Sequence, residues 1–310
     1  MMEETFALPP ALREGDTVAI VSPASKIDPA LIDSAAARLE AEGLRVRVMP
    51  HAKGVSGSFS GSAAERLADM AAALEDDRVR CILCSRGGYG AVHLLEGLDR
   101  LPERMFGKWL VGFSDITALH ALWRRKGVAS LHAAMARHIG MGEAFPSFGA
   151  ELALLRGEAE PCSWEPHPYN RAGEASGMLV GGNMAVLGGL WGTPFFPVRE
   201  GSILVLEDVA EPIYKVERMI WQLRLSGVLE RLGGLVVGQF TEYRPSADWQ
   251  TMEDMLRHCL EGYNFPVSFG APFGHIDNNR PLTLGRSATL KVRPGSVTLE
   301  YGSPEGQLRR

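Results

Sequence analysis

Trp109-Leu110-Val111-Gly112-Phe113-Ser114-Asp115-Ile116-Thr117 is the stretch that decides how the chain is read. An apolar run from Trp109 to Phe113 ends at the polar pair Ser114-Asp115. Helical spacing follows through Ala118, Leu119, Ala121, Leu122 and Trp123, then Arg124, Arg125 and Lys126 with Gly127 behind them. The pattern is a buried strand, a sharp turn, and a helix with cations in its last turn and a glycine stop. A serine at such a turn points its hydroxyl out of the sheet. The amide of the next residue, Asp115, sits at a helix N-terminus and can donate to a developing oxyanion. Gly112 to Ile116 is half of a G-x-S-x-G elbow, because Ile116 stands where the second glycine would be. The competing reading is structural: Ser114 or Asp115 N-caps the helix.

Upstream, short apolar runs alternate with helical patterns. Thr17–Val21 reads as a first strand, followed by the polar loop Ser22-Pro23-Ala24-Ser25. Ala30–Glu42 has helical spacing and Gly43 stops it. Leu44–Met49 reads as a second strand, His51–Ser62 as a mobile Gly- and Ser-rich loop, and Ala63–Leu74 as a helix. Val79–Cys84 is a third strand that enters Ser85-Arg86-Gly87-Gly88-Tyr89-Gly90, with a helix over Ala91–Leu98. Trp109–Phe113 is the fourth strand and Ala129–Leu131 a fifth. Such alternation predicts βαβ units and a parallel sheet, whose ligands sit beyond the carboxyl ends of the strands. The Ser22–Ser25 loop, the Ser85–Gly90 loop and Ser114 all fall at that edge. The glycines of Ser85–Gly90 fit neither G-x-G-x-x-G nor a P-loop, so they read as letting the backbone approach a ligand.

With 310 residues there is room for two domains. A net charge of −5 argues against a nucleic-acid or anionic-membrane partner. No apolar run is long enough to span a bilayer, and the acidic N-terminus lacks the order of a signal peptide, so a cytoplasmic location is expected. Cys81 and Cys84 form a C-x-x-C inside a strand, where they point to opposite faces. No second pair completes a zinc site, so no metal is expected.

Composition shifts between Gly140 and Gly173, and Phe145–Gly173 reads as a partly irregular linker. The expected division is a nucleophile-bearing domain over 1–145, a linker over 146–175, and a second domain over 176–310. Beyond the linker, Gly177–Asn183, Ser202–Leu206, Leu235–Phe240 and Pro266–Gly270 read as strands. Met184–Trp191, Ile213–Leu225 and Trp249–Gly262 read as helices. Ala288–Val292 and Val297–Tyr301 form a hairpin around Pro294-Gly295.

A serine hydroxyl needs a base within hydrogen-bond reach, and the base needs an orienting acid. Of the eight histidines, His51, His93, His120, His138, His167 and His258 lie in loops or on helices with no telling neighbours. His275 differs, because it lies just past an apolar strand in a loop dense in Gly, Pro and Asn. Glu207 stands at the end of the strand Ser202–Leu206, where burial would partly desolvate it, and Asp208 is the runner-up acid.

At this point the chain resembles the LD-carboxypeptidase family of serine peptidases, which includes the microcin C immunity peptidases. The stretches that carry the resemblance are Ser85-Arg86-Gly87-Gly88-Tyr89-Gly90, Val111-Gly112-Phe113-Ser114-Asp115-Ile116-Thr117, Gly181-Gly182-Asn183-Met184, Leu206-Glu207-Asp208-Val209 and Gly270-Ala271-Pro272-Phe273-Gly274-His275, in family order. The resemblance implies an α/β fold, with a flavodoxin-like parallel-sheet N-terminal domain, a smaller β-rich mixed C-terminal domain and a site between them. It implies Ser114 as nucleophile, His275 as general base and Glu207 as its orienting acid. An oxyanion hole from the Asp115 amide and a backbone amide of Gly87 or Gly88 is implied as well. Arg86 and Asn183, within these stretches, and His132, after the nucleophile helix, are the substrate-binding candidates that the resemblance implies. Family members commonly carry His-Gly-Pro after the nucleophile helix; here His132-Ala133-Ala134 departs from that pattern.

The expected activity is cofactor-free release of the terminal D-alanine from murein tetrapeptides through an acyl-enzyme. The expected partners are the murein peptide and a second copy of the chain. One alternative within the family is hydrolysis of aminoacyl-nucleotide amides, for which the loop aromatics Phe59, Trp164 and Tyr169 offer stacking surfaces. A glutamine amidotransferase or a non-catalytic binding module is disfavoured, since the former wants a cysteine at position 114.

Overall fold

The structure is a computed structural model that describes residues 6–142, 145–158 and 161–302. These fall into two compact units, one of 6–158 with Asp277–Gly285 and one of 161–276 with 286–302. The first unit runs β1 (Thr17–Val21), α1 (Pro29–Ala41), β2 (Arg45–Val48), α2 (Ala63–Glu75), β3 (Val79–Cys84), α3 (Leu95–Asp99), β4 (Trp109–Gly112), α4 (Thr117–Arg125), β5 (Ser130–His132), α5 (Ala136–Gly140) and α6 (Phe148–Leu155). The second unit holds β6 (Cys162–Trp164), β7 (Gly173–Asn183), α7 (Met184–Gly189), β8 (Ile203–Val209), α8 (Ile213–Leu225), β9 (Gly234–Thr241), α9 (Met252–Cys259) and β10 (Val267–Ser268). The chain then returns to the first unit as β11 (Leu282–Leu284) and ends in the second as β12 (Ser287–Arg293) and β13 (Ser296–Tyr301).

In the first unit the strand order is β11-β5-β4-β3-β1-β2. All pairs are parallel except β11 with β5. The order 2-1-3-4-5 is the flavodoxin-like doubly wound arrangement, as the alternation of elements predicts. Helix starts follow local chemistry. Asp28 Oδ1 accepts from the Ala30 amide at 3.0 Å, with Pro29 in the first turn. Ser62 and Glu65 form a capping box at α2. Isolated strands as short as these hold no structure, so apolar burial on both faces must stabilise the sheet. Ile82, Leu83, Leu110 and Val111 are accordingly buried.

The second unit has the order β10-β9-β8-β7-β12-β13-β6. β7 changes partner along its length. Residues 173–178 pair antiparallel with β12, and Leu179–Asn183 pair parallel with β8. The hairpin β12–β13 turns at Pro294-Gly295, as expected.

Three expectations change. The stretch read as an irregular linker contains α6 and β6, and β6 pairs with β13. Its prolines and glycines flank these elements rather than replace them. The loop read as mobile, His51–Ser62, is tied down: Ser60 Oγ donates to Ser22 O at 2.5 Å, and Ser56 and Phe59 exchange backbone bonds. The helix expected over Ala91–Leu98 is a 3-10 turn, Ala91–Leu94, followed by the short α3. No described helix is long and apolar enough to cross a membrane.

Trp123 anchors the first unit: it is fully buried, its Nε1 donates to Lys108 O at 3.1 Å, and its ring meets Phe106 edge-on at 4.9 Å. Trp123→Ala is expected to remove about 3–5 kcal/mol from the unfolding free energy of this unit, measured by guanidinium denaturation.

Candidate active site

Ser114 follows β4 at φ +62°. A non-glycine residue in the left-handed region is held there by its surroundings, at a cost of about 1–3 kcal/mol. The surroundings are specific. A Cβ at Gly112 would lie 2.9 Å from Ile116 Cγ1 and 3.2 Å from Cys84 Cβ. Ile116 therefore packs over a glycine, which explains why the elbow tolerates isoleucine in place of its second glycine. The Gly112 carbonyl accepts from His120 Nε2 at 2.8 Å and from the Ala133 amide at 3.2 Å. With Nε2 donating, His120 Nδ1 accepts from Ser130 Oγ at 2.8 Å. Burial pushes His120 down to about 4, so the ring is neutral at physiological pH. Sequence reading gave His120 no telling neighbour, since its partners are a strand carbonyl and a residue ten positions away.

The capping alternative for Ser114 and Asp115 is not what the backbone shows. α4 begins after Ile116 with no side-chain cap. The Asp115 carboxylate instead accepts from the Ala91 amide at 2.8 Å, at the start of the 3-10 turn behind the glycine loop. Burial, opposed by that amide and the charges of His93 and Arg66, raises the Asp115 carboxyl above its ordinary value.

The glycine loop reaches the serine closely. A Cβ at Gly87 would lie 3.0 Å from Ser114 Cβ, 3.1 Å from its Oγ and 3.3 Å from the Asp115 amide nitrogen. A side chain at Gly87 would press on the serine, and glycine relieves that crowding where the Gly87–Gly88 backbone and the Asp115 amide meet the same side chain. The Ser22–Ser25 loop joins them. Ser25 N donates to Gly87 O at 3.3 Å, and Ser25 Oγ accepts from Tyr89 N at 3.2 Å. Ser22 Oγ donates to Ala52 O at 2.6 Å, so Ser85 Oγ donates to Ser22 Oγ at 2.5 Å. Arg86 is half-buried, and its Nη1 donates to Lys26 O at 3.1 Å. His132 is fully buried in β5 with its ring 5.7 Å from that of Phe113. It lies under the elbow rather than on a surface that a ligand meets.

In the second unit, Glu207 was expected at the end of its strand but lies within β8, which continues to Val209. Register slips between Leu206 and Asp208, which face Val237 and Phe240. The extra residue in β9 is a bulge, and Gln239 within it bridges to Gly274. This seats the next residue, His275, against Glu207: Nδ1 donates to Oε2 at 2.7 Å. Gly274 is required here. Its φ is +120°, and a Cβ would lie 3.0 Å from Glu207 Cβ. Glu207 is completely buried. With Nδ1 committed to it, the neutral imidazole carries its lone pair on Nε2, the geometry a general base needs. Burial lowers the His275 pKa, but the Glu207 hydrogen bond and the charges of Glu207, Asp208 and Glu242 outweigh it and raise the value above 6.5.

Asp208, the neighbouring carboxylate, does different work. It accepts from Asn183 Nδ2 at 2.9 Å, Ala185 N at 2.9 Å and Val209 N at 2.8 Å. Asn183 Oδ1 in turn accepts from Val186 N at 3.1 Å, so both side chains cap α7. Burial, then the charge of Glu207, pushes Asp208 up to about 6. The four cysteines are free and buried, and burial raises the thiols of Cys81, Cys84 and Cys259.

The adjacent carboxylates separate in a stability measurement. Asp208→Ala is expected to cost about 1–3 kcal/mol, because buried donors lose their acceptor. Glu207→Gln, which keeps shape and an acceptor for His275, is expected to leave the thermal midpoint within about 2 °C of wild type.

Residues 18–133 match the model of the LD-carboxypeptidase N-terminal domain, and residues 176–290 that of the LD-carboxypeptidase C-terminal domain. A Bacillus subtilis (strain 168) protein named "Probable murein peptide carboxypeptidase" is 33% identical over 318 residues, covering 99% of this chain and 100% of that one. The crystal structure of muramoyltetrapeptide carboxypeptidase from Oxalobacter formigenes superposes with a TM-score of 0.84 at 29% identity, covering 93% of this chain and 99% of that one. The microcin C7 self-immunity protein MccF, in complex with aspartyl sulfamoyl adenosine, has the same fold, with a TM-score of 0.84 at 20% identity over 98% of this chain and 99% of that one. Two domain models in order and full-length similarity establish that the chain belongs to the LD-carboxypeptidase family, a family of serine-type peptidases.

Proposed function

We propose that the protein is a serine carboxypeptidase that hydrolyses the L,D-peptide bond of murein tetrapeptides and releases the terminal D-alanine. The observation that carries the reading is the left-handed Ser114, with the Gly87 backbone and the Asp115 amide packed against its side chain. The His275–Glu207 pair supplies base and orienting acid. In this mechanism His275 Nε2 takes the Ser114 proton as Oγ attacks the carbonyl carbon. The Asp115 amide and an amide of the Gly87–Gly88 turn hold the oxyanion, each worth about 3 kcal/mol. Collapse of the tetrahedral intermediate passes the proton to the departing amine of D-alanine, and water then releases the acyl group by the reverse path. The names of the Bacillus subtilis and Oxalobacter formigenes relatives support the substrate class.

The nucleotide-amide alternative has less behind it. The neighbour bound to aspartyl sulfamoyl adenosine shares 20% identity, which speaks for the fold alone. The aromatics that would stack on a base are engaged: Phe59 lies under Arg66 and against Tyr89 and His93, Trp164 Nε1 donates to Ser268 Oγ at 2.9 Å, and Tyr169 donates to Asp254 at 2.5 Å. The proposal further has the enzyme act in the cytoplasm as a homodimer, for which light scattering should return twice the chain mass.

Side-by-side assays on a murein tetrapeptide and an aminoacyl sulfamoyl adenosine test the reading, with faster turnover of the tetrapeptide expected. Ser114→Ala should abolish D-alanine release while keeping the native circular dichroism; a wild-type rate in that variant defeats the mechanism. Gly87→Ala should lower kcat by about 10²-fold, because its methyl displaces the nucleophile. The pH profile carries a sign. The base acts when neutral, so kcat/KM rises with pH through the His275 pKa, which lies above its ordinary 6.5. Glu207→Gln removes the charge that raises it, so the acid limb should shift to lower pH as kcat falls.

A further inference from the structure

Arg86 sits in the glycine loop, directly before the glycine that touches Ser114. Arg137 is the second residue of α5, and its backbone amide donates to Ser85 O at 2.8 Å, which pins it beside that loop. The Arg137 side chain is exposed. Among the described residues no carboxylate pairs with either guanidinium, and Arg86 Nη1 donates to the Lys26 carbonyl. Burial, then the charge of Arg137, holds Arg86 below its usual range, so the two cations feel each other. Some arginines elsewhere do meet acids: Arg47 and Arg78 meet Asp76, Arg125 meets Asp99, and Arg156 meets Glu42. Asp115, the buried acid of the same neighbourhood, is aimed at the Ala91 amide.

Two adjacent, uncompensated guanidinium groups beside a nucleophile form an anion-binding arrangement, since each presents a fork of donors that matches a carboxylate. We propose that Arg86 and Arg137 together dock the terminal α-carboxylate of the substrate, and so restrict the enzyme to the last peptide bond. The inference rests on the carboxypeptidase reading above. In such a substrate the terminal carboxylate lies one residue past the scissile carbonyl, at about 3.8 Å per residue of chain. An anchor must therefore stand next to the oxyanion loop, where Arg86 stands. A peptide that continued beyond this point, or ended in an amide, would leave both cations desolvated without a counter-charge, and that penalty is the source of the selectivity.

The test compares a murein tetrapeptide with the same peptide ending in D-alanine carboxamide. Wild-type enzyme should favour the free acid, and the acid-to-amide ratio of kcat/KM should fall about 10- to 100-fold in Arg137→Gln and further in the Arg86→Gln/Arg137→Gln double variant. Arg137 is exposed, so its variant tests the idea without threatening the fold. Calorimetry on Ser114→Ala protein, with and without Arg137→Gln, measures the same preference as binding. An unchanged ratio in the double variant, or equal binding of acid and amide to Ser114→Ala protein, overturns the arginine site. Absence of D-alanine release by wild-type enzyme overturns instead the carboxypeptidase reading on which it rests.

Discussion

The backbone of Ser114 is the constraint around which the first unit is built. A serine at φ +62° does not stay there unaided. β4 delivers it from a buried strand, and Ile116 fills the space left by the missing side chain of Gly112. His120 reaches back from α4 to hold the Gly112 carbonyl, and that bond crosses the turn between strand and helix. Gly87 closes the other side. Each contact is a packing or hydrogen-bonding interaction of ordinary strength. Together they fix one side chain at the carboxyl edge of a parallel sheet, where the glycine loop brings its backbone to it.

The second unit solves a related problem with different means. Glu207 and Asp208 are adjacent, equally buried and chemically alike, yet they serve a histidine and a helix cap respectively. Strand geometry separates them, because successive side chains leave opposite faces. The bulge in β9 then places Gln239 where it can pair with Gly274, and the absence of a Cβ at Gly274 lets the imidazole approach. Two like charges side by side are tolerable because one is hydrogen-bonded to the imidazole and the other takes up three donors.

Much of this was legible from residues alone, and the reasons are physical. β3 and α8 were read at their observed bounds, because a run of buried apolar residues between turn signals and an amphipathic 3.6-residue period leave little latitude. The hairpin at Pro294-Gly295 declared itself through its turn chemistry. What escaped were features set by distant partners. β11 is three residues long and exists because β5 offers it an edge, so no local pattern marks it. The helix and strand within the Pro-rich stretch around Cys162 were hidden by the breakers that flank them. Glu207 and His275 stood out by their positions after apolar strands and were expected to pair, as they do, but the diversion of Asp208 to α7 depends on the bulge, which sequence does not announce. Capping of its own helix was the competing reading for Ser114 or Asp115; the Asp115 carboxylate instead accepts from the Ala91 amide, 24 positions away.

The return of the chain as β11 has a bearing on how the gene can be divided. The two compact units are not two consecutive halves, since Asp277–Gly285 belongs to the first unit and follows His275 by a single intervening residue. A fragment that stops before residue 160 carries every strand of the parallel sheet but leaves β5 with one side unpaired. Exposed strand edges recruit other chains, so such a fragment invites self-association. Splitting or permuting this protein therefore calls for a cut that keeps β11 with β5. The same short strand ties the synthesis of the His275 loop to completion of the sheet that carries Ser114: during translation the first sheet stays open at this edge until the ribosome has passed Leu284.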